Sequence, residues 1–458
     1  MVLVGCTEDP QSAREPSEPQ RQGVEVTAGQ PEDVPLGSGI EVRDGDTGKP
    51  VKASLRALGP GTRVTEIPTG PNGRAQVPVD TRAVRAFVKG YSVGRAVVAD
   101  GAARVEVYRK AIQSPEYGGG PLRRRHVPAV KAPLPGARPT WRFNAKTLIE
   151  FPPAVRNGLL VFGVNSGRVF ALDQRTGAVR WAKRHRGEIA STPSMVDGQV
   201  YVSSMDGRVT AYREADGQEI WSFSTEGSPI ESSPLVVDER VIVGDWGGRL
   251  YSIDARTGTP VWTFQAAGDL KASAALSGDT LVIGDYVGRV YGVNFRTGAL
   301  KWEQSAGARF YGGAAISDGI AVIGDIGGDV LALDVETGEQ RWRRSMGNFV
   351  YASPAVADGT VYIGSYSGRF DALALNNGAQ RWSFNAGERI SGSATVVGDV
   401  VYTSVLSKPG APRRTFALDR VTGAIRWQNE DGRYSPAVAA GRGLFLVGTN
   451  RLYAYVAP

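Results

Sequence analysis

From about residue 140 to the end, apolar positions fall in short runs of four to six residues, such as Val169 to Leu172 and Thr360 to Ile363, separated by Gly-, Asp- and Thr-rich breaks. Runs this short between turn residues predict strands rather than helices. The breaks come in two kinds. Asp-Gly-type turns (Asp197-Gly198, Asp318-Gly319, Asp358-Gly359) precede one run of each unit, and Thr-Gly pairs follow another; where Gly stands in them it supplies the positive φ of a tight hairpin. Upstream lie Ser-Pro or Ser-Ala pairs (Ser233-Pro234, Ser273-Ala274, Ser353-Pro354) that begin a third, small-residue strand.

The pattern is periodic. Trp141, Trp181, Trp221, Trp262, Trp302, Trp342, Trp382 and Trp427 follow one another at steps of 40, 40, 41, 40, 40, 40 and 45. Short strands repeating every 40 to 45 residues are the signature of a β-propeller, in which each repeat is a four-stranded blade and small side chains suit the crowded axis. Asp173, Asp254, Asp334 and Asp419 each stand eight residues before their Trp. There a carboxylate can accept N–H groups of the turn, so these aspartates read as structural. Three strands after the last Trp and a lone strand at Thr140 to Ala145 complement each other, which predicts a composite blade and eight blades in all. Closing the ring in this way removes the open sheet edge.

The unit Gly-x-x-x-Ala-Leu-Asp-x-x-Thr-Gly-x-x-x-Trp, clearest from Gly167 to Trp181, resembles the PQQ-like repeat. That repeat is shared by quinoprotein dehydrogenases and by the propeller lipoprotein of the outer-membrane β-barrel assembly machine (BamB-like). The resemblance covers residues 138 to 458. It implies either a PQQ-dependent dehydrogenase or a non-catalytic scaffold. The dehydrogenases use a vicinal cysteine pair and calcium ligands mostly carried on insertions, whereas this chain holds one cysteine and nearly uniform repeats. Asp245, Asp285 and Asp325, the repeated carboxylates of the Gly-Asp-x-x-Gly loops, read as turn residues. No catalytic residue, metal site or cofactor is therefore assigned.

Residues 1–35 combine Leu3-Val4-Gly5-Cys6 with a Glu-, Pro-, Gln- and Ser-rich stretch. The first resembles the lipobox of bacterial lipoproteins, which makes Cys6 the expected lipidation site; the second reads as a disordered tether. The charged and apolar segments that normally precede a lipobox are missing, so the expectation is a start upstream of Met1 or a trimmed chain. Residues 36–110 show short alternating runs, and phrases such as Asp46-Thr47-Gly48-Lys49-Pro50 and Lys89-Gly90-Tyr91 resemble carboxypeptidase-regulatory-like modules, implying a small β-sandwich. Residues 111–139, with Gly118-Gly119-Gly120 and Arg123-Arg124-Arg125-His126, read as a solvated basic linker, followed by the propeller at 140–458.

The formal net charge of +7 over 458 residues is modest, and basic patches interleaved with aromatics are missing, so no nucleic-acid partner is assigned. Function is sought instead on the propeller face that carries the inter-strand loops, because a rigid scaffold positions such loops. Trp246, Tyr286 and Tyr366 lie in those loops. Counting back three positions from each Ser-Pro-type proline position gives a ring around the channel mouth that includes Glu231, Lys271, Tyr311, Tyr351 and Arg433. The five residues added in the 45-residue step fall at Leu406 to Arg414, in the same type of loop. Aromatics and Arg are typical binding hot spots. These eight residues are the expected contact set of an exported, lipid-anchored protein of the cell envelope that binds an envelope protein, with envelope glycan as the alternative ligand.

Overall fold

The computed structural model describes residues 36–61, 63–128, 133–134, 138–406, 414–433 and 435–456. Cys6, the tether and residues 407–413 of the longest loop lie outside them.

Eight sheets follow one another along 138–456 in chain order and form the β-propeller expected from the repeat. Blades 1 to 7 span 154–184, 194–224, 235–265, 275–305, 315–345, 355–385 and 395–429. Blade 8 joins Val438–Ala440, Gly443–Gly448 and Arg451–Val456 to Trp141–Asn144. The last pairing is antiparallel, with Ala454 opposite Trp141. Ring closure therefore combines both ends of the propeller sequence.

The apolar core is divided into slabs between neighbouring blades. Leu235, Ile242 and Leu250 of blade 3 pack on Leu276, Leu281 and Ile283 of blade 4, and Leu160, Phe162 and Leu172 of blade 1 pack on Phe445, Val447 and Leu452 of blade 8. Each Trp serves this docking. The Nε1 of Trp221 donates to the carbonyl of Ala255 at 2.9 Å in the next blade, and its ring covers Gly258, which has a φ of 76°. The Thr-Gly turn thus needs glycine both for its backbone and for the indole lying on it. The Asp before each turn acts as expected: Asp254 Oδ1 accepts the N–H groups of Arg256 at 3.0 Å and Thr257 at 2.9 Å.

At the hub, the Ser of the Ser-Pro pairs has a role beyond small size. Ser233 Oγ accepts the N–H of Thr192, and Ser273 Oγ that of Ser233, both at 2.9 Å. Ser393 Oγ accepts the N–H of Ser353 at the same distance. These hydroxyls clasp one blade to the next.

Two sheets, one of three strands and one of four, lie over 36–107 and share an apolar core that includes Ile40, Leu55, Val84 and Val105. They sit against the hairpin face of blades 1 and 8, where Tyr108 meets Gly158 and the Asp46 carboxylate meets Gly441. Within the four-stranded sheet, Val64–Pro68 pairs antiparallel with Ser54–Leu58.

The stretch expected to be a solvated linker is, over 110–127, a strap across the hub. Its carbonyls accept inner-strand N–H groups from Met195 (to Pro115), Leu276 (to Pro121), Ile316 (to Leu122), Val356 (to Arg124) and Val396 (to Arg125), each at 2.8 or 2.9 Å. A two-residue strand, His126–Val127, pairs in parallel with blade 7. Arg123 is only 1% exposed. Its guanidinium donates to the carbonyls of Ala274 at 3.1 Å and Pro234 at 3.2 Å, and lies 3.8 Å from the buried Glu116 carboxylate. Inner strands present a free edge to the axis, and a chain passing there satisfies it. An arginine run that looks solvated in sequence is here partly consumed by carbonyls at the strand ends; Arg124 alone of the three stays exposed.

Candidate functional site

The strap closes the axial channel at the hairpin face and leaves a blind cavity of about 450 Å³ on the loop side. Tyr117 of the strap lies at its floor. The Tyr117 hydroxyl bonds Ser353 Oγ at 3.1 Å, and the Arg125 guanidinium sits 3.9 Å from its ring centroid. The walls come from residues just before each inner strand. Glu150 precedes blade 1, Glu231 blade 3, Lys271 blade 4, Tyr311 blade 5, Tyr351 blade 6, Ser391 blade 7 and Arg433 blade 8. The 40-residue register thus delivers unlike side chains to equivalent places around one axis.

Seven of the eight residues of the expected contact set lie in one connected cluster, and the eighth, Arg433, lines the same cavity from the blade 8 side. Glu231 is its centre: Oε1 accepts the Tyr311 hydroxyl, and Oε2 accepts Trp246 Nε1 at 3.2 Å. The Lys271 ammonium lies 4.0 Å from the Trp246 ring centroid and 4.2 Å from that of Tyr286, a two-sided cation–π contact. Tyr351 packs edge-on to Tyr311 with centroids 5.3 Å apart and lies 4.7 Å from Tyr366. Arg433 Nη1 reaches Thr449 Oγ1 at 3.4 Å on the blade 8 side. Trp246, Tyr286 and Tyr366 are half-buried rather than fully exposed, because each leans on its neighbours.

Charge in the cavity is divided. Burial raises the Glu231 carboxyl, opposed by the Tyr311 hydroxyl, Lys271 and Trp246. Burial also raises Glu150, reinforced by the charges of Glu231 and Glu188. Tyr311 is raised in turn by burial and by Glu231, so it stays a hydrogen-bond donor at neutral pH.

The sequence reading missed a second circle of residues outside the first. Arg309, Phe349 and Arg389 occupy the same position in successive repeats and are exposed on the loop face. Arg309 lies 5.3 Å from the Tyr286 ring centroid and Arg389 5.8 Å from that of Tyr366, while Phe349 packs on Tyr351 and Tyr366. Val287 is 58% exposed beside them. Their 40-residue spacing was the available signal. Together they form an apolar and cationic arc over blades 4 to 7.

The Gly-Asp loops that carry Trp246, Tyr286 and Val287 are braced by their aspartates. Asp245 Oδ1 and Asp285 Oδ1 each accept the Arg N–H four residues on at 2.8 Å, and both aspartates are fully buried. They are committed to turn geometry. Among the described residues, no group of three or more His, Cys, Asp or Glu side chains is placed to hold a metal ion.

A relative from Nitrosomonas eutropha, an outer membrane protein assembly factor BamB, is 29% identical over 93 residues; the match spans 20% of this chain and only 22% of that protein's length. The crystal structure of BamB from Moraxella catarrhalis superposes with a TM-score of 0.52 at 22% identity, covering 58% of this chain and 85% of that one. A europium-containing methanol dehydrogenase superposes with a TM-score of 0.67 at 13% identity, covering 76% of this chain and 98% of that one. At such identities the two structures speak for the fold alone. The family model described as outer membrane protein assembly factor BamB matches residues 125–233, 227–312 and 296–454, and with nearly the whole propeller so accounted for, the chain belongs to that family.

Proposed function

We propose that this protein is an assembly factor of the cell envelope whose propeller is a non-catalytic protein-binding scaffold. It is held to the membrane by a lipid on Cys6. The observation that carries the reading is the arc formed by two contact groups, Trp246, Tyr286 and Arg309, then Phe349, Tyr366 and Arg389, on the face opposite the sandwich. Aromatic and Arg side chains on rigid loops give large contact area at small entropic cost. The sandwich and strap occupy the hairpin face, so a tether before residue 36 would point the loop face away from its anchor. The relatives named outer membrane protein assembly factors support a role in that assembly, with an envelope protein that meets this arc as the partner.

Catalysis has weaker support. The methanol dehydrogenase likeness concerns fold, and a chain with one cysteine cannot form the vicinal pair of the quinoprotein enzymes. An affinity pull-down from envelope extract, with the Trp246/Tyr286/Tyr366 triple alanine variant as control, tests the scaffold. A partner retained by the parent and lost by the variant supports it; equal retention, or saturable dye-linked alcohol oxidation with added PQQ and calcium, overturns it.

A further inference from the structure

The blind axial cavity carries chemistry that a protein-binding rim does not need. Two hydroxyls in its wall, Ser391 Oγ and Ser435 Oγ, are buried and find no hydrogen-bond partner among the described residues. Orphaned polar atoms are costly, so a built pocket that keeps them is suited to a polar ligand group. They stand on the blade 7 and blade 8 side of the cavity, whose wall Arg433 shares. The next blade around the ring contributes Glu150, which lines the same cavity; burial first, and then the charges of Glu231 and Glu188, raise its carboxyl against a hydrogen bond from Asn165, so a cation placed beside it favours the charged form. Lys271 does not fill that role, since its ammonium is held between Trp246 and Tyr286. Both oxygens of Glu231 are already occupied by Tyr311 and Trp246. Across the pocket, Tyr311, Tyr351 and Tyr366 form an aromatic wall.

We propose that this pocket binds a free α-amino acid with an aromatic or large apolar side chain. The ligand carboxylate meets Arg433 and the hydroxyls of Ser391 and Ser435, its ammonium meets Glu150, and its side chain packs on Tyr351 and Tyr366. Anion-binding and cation-binding groups on adjacent blades suit a ligand whose two charges are a few bonds apart. The cavity of about 450 Å³ falls within the span of small-ligand pockets, roughly 300–1,000 Å³. This site goes beyond the scaffold reading and stands whether or not the arc binds a protein.

Isothermal titration of the full chain with L-phenylalanine, N-acetyl-L-phenylalanine and L-phenylalaninamide tests the proposal. Saturable binding of phenylalanine is expected, weakened about tenfold or more when either charge is capped, which is at least 1.4 kcal/mol. Glu150→Gln should weaken phenylalanine and leave the N-acetyl form unchanged, because only the free amine contacts that carboxylate. A need for both charges on one residue separates a free amino acid from the end of a chain, which carries one. Capped forms that bind as well as phenylalanine overturn the proposal. So does an absence of saturation in protein whose thermal melt is intact.

Discussion

Trp302 of blade 4 lies flat on Gly338 of blade 5, so close that a Cβ on that glycine would fall 2.5 Å from the ring. The indole Nε1 also donates to the carbonyl of Val335 at 2.8 Å. One residue thereby supplies the apolar seal and the polar latch between two blades. The same pairing joins Trp141 to Gly177 across the ring closure and Trp382 to Gly423 further round.

Gly338→Ala therefore meets two penalties, a φ of 76° and an indole that cannot retreat. A loss of about 3 kcal/mol or more is expected in urea unfolding. Gly347→Ala is the control: its φ is 77° but nothing lies within 4 Å of the added Cβ, so only about 1 kcal/mol is expected. Equal losses at both sites would show that the indole contact contributes nothing.

The strap makes an equally sharp contrast. Arg123→Ala strips buried carbonyls of a donor and leaves Glu116 facing no cation, at a cost of about 3–5 kcal/mol. Arg124→Ala removes an exposed side chain while its backbone carbonyl still serves Val356, and the change should stay within about 0.5 kcal/mol. Similar melting temperatures for the two variants would return the segment to the status of a loose linker.

Deleting residues 140–145 removes the outer strand of blade 8 and the Thr140 Oγ1 contacts with Val456 at 3.0 and 3.2 Å. It also exposes the edge of Arg451–Val456 and the core between blades 8 and 1. Loss of the cooperative thermal transition is expected. A melt unchanged from the parent would contradict ring closure by that strand.

Stability should depend on pH at the contact between sandwich and propeller. Burial first, and then the charge of Asp44, pushes the Asp46 carboxyl up to about 6. The folded state then binds more protons than the unfolded chain between about pH 4 and 6, so stability falls as pH rises through that window. Asp46→Asn should raise stability at pH 7 by about 1–2 kcal/mol, allowing for partial exposure, and flatten the slope. Chemical denaturation at pH 4.5 and 7 reads both effects; a steeper slope in the variant would reverse the sign.

Much of this was legible in the chain. The Trp ladder and the Thr-Gly and Ser-Pro pairs carry the blade plan because each performs one local task in every repeat, and counting in steps of 40 brought Glu231, Lys271, Tyr311, Tyr351 and Arg433 to one axis. The strap was hidden for a physical reason. Glu116, Arg123 and Arg125 are charged residues in a Pro- and Gly-rich stretch, and composition alone assigns such residues to water; the closed ring brings Arg123 to hub carbonyls and Glu116 to Ser194 Oγ, while Arg125 lies on the Tyr117 ring of the strap itself. Arg309, Phe349 and Arg389 escaped because unlike residues at one repeat position look like variation until their side chains are seen on one face.

The proposed partner surface is the loop face, opposite the hairpin face that the sandwich and strap cover. Site-specific photo-crosslinking in intact cells tests it most directly, with the probe at Val287 or Phe349 on the loop face and at Val421 in a hairpin turn, all three exposed. Discrete crosslinked protein bands are expected from Val287 and Phe349 and none from Val421. Bands from Val421 alone, or no protein adduct from either loop-face site, would contradict it.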